Sequence, residues 1–236
     1  MNLDTLPDEA LKEFLMLKEA EARLILRDKA QKNFMPFVHH VYENFIEGRH
    51  HIEIAKKLEK VANGEIDRLI VNMPPRHSKS ELASYLMPAW FLGRNPKLKI
   101  IQATHNTELA VRFGRKVRDL IDSEEYAHIF PNTDLKADSK AAGRWETSAG
   151  GEYFAAGVGA AVTGRGADLF IIDDPHSEQD ALSEGRLDEA YEWYTSGPRQ
   201  RLQPGGKIIV VMTRWGLRDL TGRLIKSQSN DVLSDK

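Results

Sequence analysis

The chain contains no cysteine. A disulfide framework and a thiolate metal centre are both excluded, and a reducing compartment fits. Long apolar runs are missing too: nothing approaches the roughly 20 residues that a membrane span needs. A secretory leader is not expected, because the opening stretch MNLDTLPDEALKEFLMLKEAEARLIL carries acids where a leader carries bases. The expectation is a soluble intracellular protein with no membrane contact. Charge of one sign is scarce: 33 Lys and Arg stand against 35 Asp and Glu, a formal balance of -2. No global positive field draws the chain to nucleic acid, so any such contact must come from a local patch or from assembled subunits. What is present is 236 residues with 41% hydrophobic content, enough for a core within one large domain.

The pattern alternates along the chain. Leu11, Phe14, Leu15, Leu17, Ala22 and Leu26 recur at roughly helical spacing with charges between them, which predicts an amphipathic N-terminal helix or a pair of them. HIEIAKKLEKVANG predicts a second helical stretch that stops at Gly64. Short apolar runs follow at Leu69 to Met73, 98 to 104, 167 to 174 and 206 to 213. They are rich in Ile and Val and do not alternate, as expected of strands buried on both faces of a parallel sheet. Helix-period stretches at 78 to 92, 105 to 122 and 183 to 195 lie between them, predicting right-handed crossovers and an α/β fold with a mostly parallel central sheet flanked by helices. The Gly- and Ala-rich segment 141 to 166 reads as loops around one or two short strands.

Glycine is also lacking in one place where it matters. RLIVNMPPRHSKSE, residues 68 to 81, looks like a strand entering a phosphate-binding turn. In the pattern G-x-x-x-x-G-K-[ST], backbone N–H groups curl around phosphates, Lys neutralises the β and γ oxygens and the hydroxyl holds magnesium. Lys79 and Ser80 fit the last two positions, while Met73 and Ser78 stand at the glycine positions. Pro74 and Pro75 stiffen the turn, and Pro75, Arg76, His77 and Ser78 would frame the phosphates with Lys79 and Ser80. An ordinary strand-to-helix turn with a solvated lysine is the plain alternative. DLFIIDDP, 168 to 175, is an apolar strand ending in two acids: Asp173 would associate with the metal and Asp174 would polarise the attacking water. Asp-Asp-Pro is good turn chemistry as well. VVMTRWGLRDL, 210 to 220, is another buried strand, and Thr213 at its tip could sense the γ-phosphate or merely cap the strand.

Taken in that order, RLIVNMPPRHSKSE, GVGAAVTGRGADLFIIDDP and IIVVMTRWGLRDLTGRL resemble the large terminase subunit of tailed bacteriophages, the ATP-driven motor that packages DNA into a procapsid. The resemblance covers about His50 to Leu224. It implies a P-loop NTPase of the ASCE type, with ATP and Mg2+ at the site. It also implies a pentameric homo-oligomeric ring in the host cytoplasm, seated transiently on the procapsid portal vertex. The implied partners are double-stranded DNA, the portal protein and a small terminase subunit. The family's C-terminal nuclease has no room here, so the expectation is the ATPase half alone: a helical segment over 1–48, the ATPase domain over 49–228 and a tail over 229–236.

The resemblance assigns further roles. Arg76 resembles an arginine pointed at the γ-phosphate, and Thr213 falls on the coupling motif. A ring motor needs a cation that reaches the neighbour's nucleotide. Arg165, between Gly164 and Gly166, is the candidate, with Arg144 and Arg199 behind it. His51 is the candidate for the adenine side, with Gln31, Phe34 and His50 in the same region. Arg112, Arg115, Lys116 and Arg118 could face DNA phosphates or be a solvated helix face. A helicase-like translocase would share the motifs but bring a second recA-like domain, and a degenerate nucleotide-binding scaffold is the remaining alternative.

Overall fold

The structure is a computed structural model that describes residues 7–162 and 164–234. It opens with α1 (Asp8–Lys32) and α2 (Phe34–Val41). The predicted amphipathic seating of α1 is not what the structure has: of its residues only Ala30 is buried, and Leu15, Met16, Leu17, Leu24 and Ile25 are exposed. Its apolar residues fall on several sides of the helix, so no single stripe can pack down. α2 does the anchoring. Phe34 and Phe37 are buried, and Phe34 meets the Trp90 ring at 5.4 Å between centroids.

α3 (Arg49–Ala62) leads into β1 (Arg68–Asn72). It stops where Gly64 takes φ 74°, with Glu65 N–H donating to the Lys60 carbonyl, the left-handed termination that the sequence signals. After β1 come a π-helical turn (Glu81–Leu86), α4 (Met87–Arg94), β2 (Lys99–Thr104), α5 (Thr107–Ile121) and α6 (Glu124–Ile129). The predicted helix over 78–92 is therefore not a regular α-helix. Pro88 sits near the start of α4 and supplies no N–H, so the ladder before it widens to π spacing.

An edge hairpin follows, β3 (Leu135–Ala141) with β4 (Arg144–Thr147), then β5 (Glu152–Gly157) and β6 (Ala167–Asp173). The chain ends with α7 (Glu178–Ala181), α8 (Glu184–Ser196), a 3-10 turn (Pro198–Arg201), β7 (Leu202–Met212) and α9 (Leu220–Ser234). α9 thus runs through most of the expected tail, whose last two positions lie outside the described residues. The seven strands form one sheet in the order β1-β7-β6-β2-β5-β4-β3. The first five are parallel, and β4 and β3 add antiparallel.

Both faces of the parallel part are covered. Adjacent residues Phe170 and Ile171 point to opposite faces and are both fully buried. One face packs under Leu82, Leu86, Trp90 and Val117, the other under Trp193, Tyr194 and Leu220. The register brings the C-terminal ends of β1, β7, β6 and β2 flush: Asn72 pairs with Met212, Val211 with Asp173, and Asp173 with Thr104. Ligands of open parallel sheets bind at this edge.

Candidate nucleotide site

The loop that leaves β1 solves the glycine problem in two ways. Met73, just past β1, adds one more backbone bond, its N–H donating to the Met212 carbonyl at 3.2 Å, and has no left-handed φ, so the first glycine position needs no glycine. Ser78 takes φ 57° and Arg76 φ 64°, both left-handed. The conformation a glycine would adopt freely is kept, at a cost of about 1 to 2 kcal/mol for each side chain that occupies it. His77 is steadied by a 2.9 Å contact between Nδ1 and the Pro75 carbonyl. Arg76 is exposed and makes no hydrogen bond or ion pair among the described residues.

The loop delivers two side chains onto the strand ends. Lys79 is almost fully buried, and its Nζ lies 2.9 Å from Asp174 Oδ2 and donates to Thr213 Oγ1 at 3.2 Å. The Ser80 hydroxyl donates to Asp173 Oδ1 at 3.0 Å. Asp174 takes φ 41°, and its Oδ1 accepts the Thr213 N–H at 2.8 Å. Thr213 Oγ1 in turn reaches the Met73 carbonyl at 3.3 Å. The two acids therefore face different jobs: Asp173 is turned to the hydroxyl of Ser80, while both oxygens of Asp174 are engaged, one by Lys79 and one by a backbone amide.

Asp173 is buried, and burial raises its pKa to about 6. The Asp174 charge adds to the rise, while Ser84, Ser80 and Lys79 oppose it. Ser84 Oγ lies near enough to this carboxylate to lower its pKa, yet neither Asp173 Oδ2 nor Ser84 Oγ makes a well-formed hydrogen bond among the described residues. An orphaned carboxylate oxygen next to a serine hydroxyl fits a hard divalent cation. Mg2+ is ordinarily held by one or two carboxylates together with substrate phosphates, not by an all-protein cage. No group of three or more His, Asp or Glu among the described residues could enclose a metal alone.

Other predicted residues lie at varying distances from this centre. His51 is buried at the start of α3, where its Nδ1 accepts the Gly48 N–H at 3.0 Å. The His50 ring, 3.8 Å from that of His51, stands 5.7 Å from His77 in the loop. Gln31 and Phe34 belong to the N-terminal packing, with Gln31 Nε2 donating to the Ile129 carbonyl. Arg165 lies at the other end of the sheet, about 20 Å of strand from Asp173 at the usual rise per residue. There it pairs with Glu152, which Arg144 also approaches at 3.3 Å, and lies over the Phe154 ring. Arg199 is exposed in the 3-10 turn. On α5, Lys116 is taken by Glu81 and the Tyr85 ring and Arg118 by Asp119, which leaves Arg112 and Arg115 exposed.

Residues that the sequence did not single out surround the acids. His105 follows β2, and both its N–H (3.2 Å) and its Nδ1 (3.3 Å) meet the Asp174 carbonyl, clasping the strained residue from the neighbouring strand. A polar residue at the tip of an apolar run was the signal available for it. A cavity of about 800 Å³ lies elsewhere, between α8 and α9, but its arginines are taken: Arg214 by Asp219 and Arg223 by Asp188.

No family model matches the sequence, and no curated protein matches it. Among solved structures, the chain is similar to a mutant of the ATPase domain of the large terminase of Thermus phage P74-26. The identity is 15%, over 77% of this chain and 70% of that one, with a TM-score of 0.46. A likeness this distant carries no weight for function, which rests on the site geometry and the motifs. No helix among the described residues is long and apolar enough to cross a membrane.

Proposed function

We propose that the chain is a Mg-dependent ATP hydrolase, the ATPase domain of a viral DNA-packaging motor of the large terminase type. The observation that carries the hydrolase reading is the convergence of Lys79, Ser80, Asp173, Asp174 and Thr213 at the flush ends of three adjacent parallel strands. The packaging reading is supported by the three motif stretches and their order in the chain. With it come double-stranded DNA, met through Arg112 and Arg115, the portal protein, a small terminase subunit and a homo-oligomeric ring.

The roles follow from the geometry. Backbone N–H groups of the 75–80 loop take the phosphates, and Lys79 exchanges Asp174 for phosphate oxygens of the substrate. That exchange frees Asp174 to accept a proton from, or orient, the attacking water. Ser80 and Asp173 would hold Mg2+, which when bound neutralises charge on the transferring phosphoryl group. Arg76, exposed in the loop, would meet the γ-phosphate, and Thr213 would sense whether Lys79 has left it. His51, whose neighbour His50 stands 5.7 Å from His77 in the loop, would serve the adenine side.

The test is ATP hydrolysis as a function of protein concentration, with Lys79→Ala and Asp174→Ala alongside. Turnover that rises more than linearly and vanishes in both variants is expected. Tight binding of ATP with no phosphate released at any concentration, even with portal protein and DNA added, would make the chain a nucleotide-binding scaffold. The strained Ser78 and the short arm of Asp174 are what favour that second reading.

A further inference from the structure

The first turn of α9 is buried to an unusual degree for a helix start: Asp219, Leu220 and Thr221 have no exposure at all. Each reaches a different loop of the site. The Leu220 N–H donates to His176 Nε2 at 3.0 Å, two residues beyond Asp174. The Thr221 hydroxyl shares its proton between Asn72 Oδ1 at 3.2 Å, at the end of the strand that opens into the phosphate loop, and Asp219 Oδ1 at 3.3 Å. Asp219 Oδ2 accepts Arg214 Nε (2.9 Å) and the N–H groups of Trp215 (2.8 Å) and Gly216 (3.1 Å), the residues that follow Thr213. Its other oxygen accepts the Gly222 N–H at 2.7 Å and so caps the helix. One buried turn is thereby tied to the exits of β1, β6 and β7 together.

We propose that this turn is the output element of the nucleotide site, with His176 and Thr221 as positioning residues that make α9 follow the state of Lys79. The inference rests on the nucleotide-hydrolase reading and extends it to the path by which the site moves the rest of the molecule. Lys79 bridges Asp174 Oδ2 and Thr213 Oγ1, beside the direct bond from the Thr213 N–H to Asp174 Oδ1. When it turns to phosphate, the 174–176 and 213–216 segments lose that bridge while the direct bond remains. A packed and hydrogen-bonded contact of this kind shifts between discrete arrangements and does not deform smoothly. α9 cannot stay behind, because its first turn has no solvent to replace the lost bonds. The shift passes outward as one body with α8, since Arg218 pairs with Glu184 and Asp188 and Arg223 pairs with Asp188.

Trp215 is a built-in reporter. Its backbone N–H is held by Asp219 and the residue is 40% exposed, whereas Trp90 and Trp145 are fully buried and Trp193 is 9% exposed. The experiment reads tryptophan emission of the full chain on addition of Mg with a non-hydrolysable ATP analogue, with Trp215→Phe to assign the signal. Affinity is measured separately with a fluorescent analogue. The parent is expected to respond, and His176→Phe and Thr221→Val to bind within about threefold of it while losing most of the response, because they lie outside the phosphate contacts. His176→Gln and Thr221→Ser, which keep an acceptor and a hydroxyl, are expected to restore it.

Binding without any Trp215 response in the parent, or a full response in His176→Phe and Thr221→Val, overturns the proposal and leaves the nucleotide site standing. Absence of binding in the parent overturns both. If the two variants fail to fold, amide exchange at 220–223 of the parent decides: slower or faster exchange with nucleotide supports the coupling, and unchanged exchange overturns it.

Discussion

Asp173 carries the sharpest conflict among the site residues. It must be ionised to hold a cation, yet burial, helped by the Asp174 charge, raises its pKa to about 6. A carboxyl whose folded value lies above its unfolded value stabilises the fold fully below the unfolded pKa, here about 3.8, and loses that contribution as pH rises through about 6. The shift corresponds to about 3 kcal/mol. Asp173→Asn is therefore expected to raise nucleotide-free stability by up to about 3 kcal/mol near pH 8, with the gain vanishing near pH 4, and to abolish Mg-dependent hydrolysis. Denaturant melts at both pH values check this, and a variant no more stable than its parent near pH 8 contradicts it. Ser78 holds a second conflict. Ser78→Gly should stabilise by about 1 kcal/mol without weakening nucleotide affinity, because it removes left-handed strain and keeps the backbone path. Lys79 and Ser80 were legible from their spacing after the first strand and the two acids because they end an apolar run, both of which are local signals. His176 and Thr221 were not, since their partners lie 44 and 149 residues away and are a backbone amide and an asparagine that no spacing rule marks.

The elements divide along the same line. Four of the five parallel strands were legible from short Ile- and Val-rich runs, because burial on both faces leaves no room for polar alternation; β5, EYFAAG, has no such run and was covered only by the short strands expected within 141 to 166. β3, with its polar LKADSKA sequence on the sheet edge, carries no such run and was missed. α3 shows a residue whose chemistry the pattern could not settle. His51 is the candidate for the adenine side, and the structure gives its Nδ1 the Gly48 N–H, the reciprocal half of a helix-start clasp. Burial lowers its pKa, with the nearby His50 second. A histidine kept neutral by folding stabilises fully above its unfolded pKa near 6.5 and loses that contribution as pH falls below it. Gln at this position can make the same clasp without titrating. His51→Gln is thus expected to match the parent near pH 8 and to lose less stability near pH 5. Equal acid slopes for the two proteins would rule this out, and nucleotide affinity measured on the same variant reports separately on the adenine assignment.

At the scale of the whole molecule, the sheet separates two sets of charges. Lys79, Asp173 and Asp174 sit at the C-terminal ends of the strands, and Arg165 sits at the opposite end, paired with Glu152 beside Arg144. Arg165 cannot serve its own nucleotide across the length of a strand, so any catalytic use of it requires a neighbouring subunit whose site faces this edge. Such use would require it to leave Glu152 and the Phe154 ring, a local exchange at a surface loop and not a rearrangement of the core. A cation of this kind is worth about 10³ to 10⁵ in rate. Lys79→Ala and Arg165→Ala should then each be nearly inactive alone at a concentration where the parent assembles. Mixed in equal amounts they should recover part of the parental rate, because some contacts join an intact Lys79 site on one subunit to an intact Arg165 on the next. Recovery in the mixture identifies the shared site directly. If Arg165→Ala alone keeps its concentration-dependent turnover, the cation that completes the site is not Arg165, and the same mixing experiment with Arg144→Ala and Arg199→Ala tests the two arginines that remain.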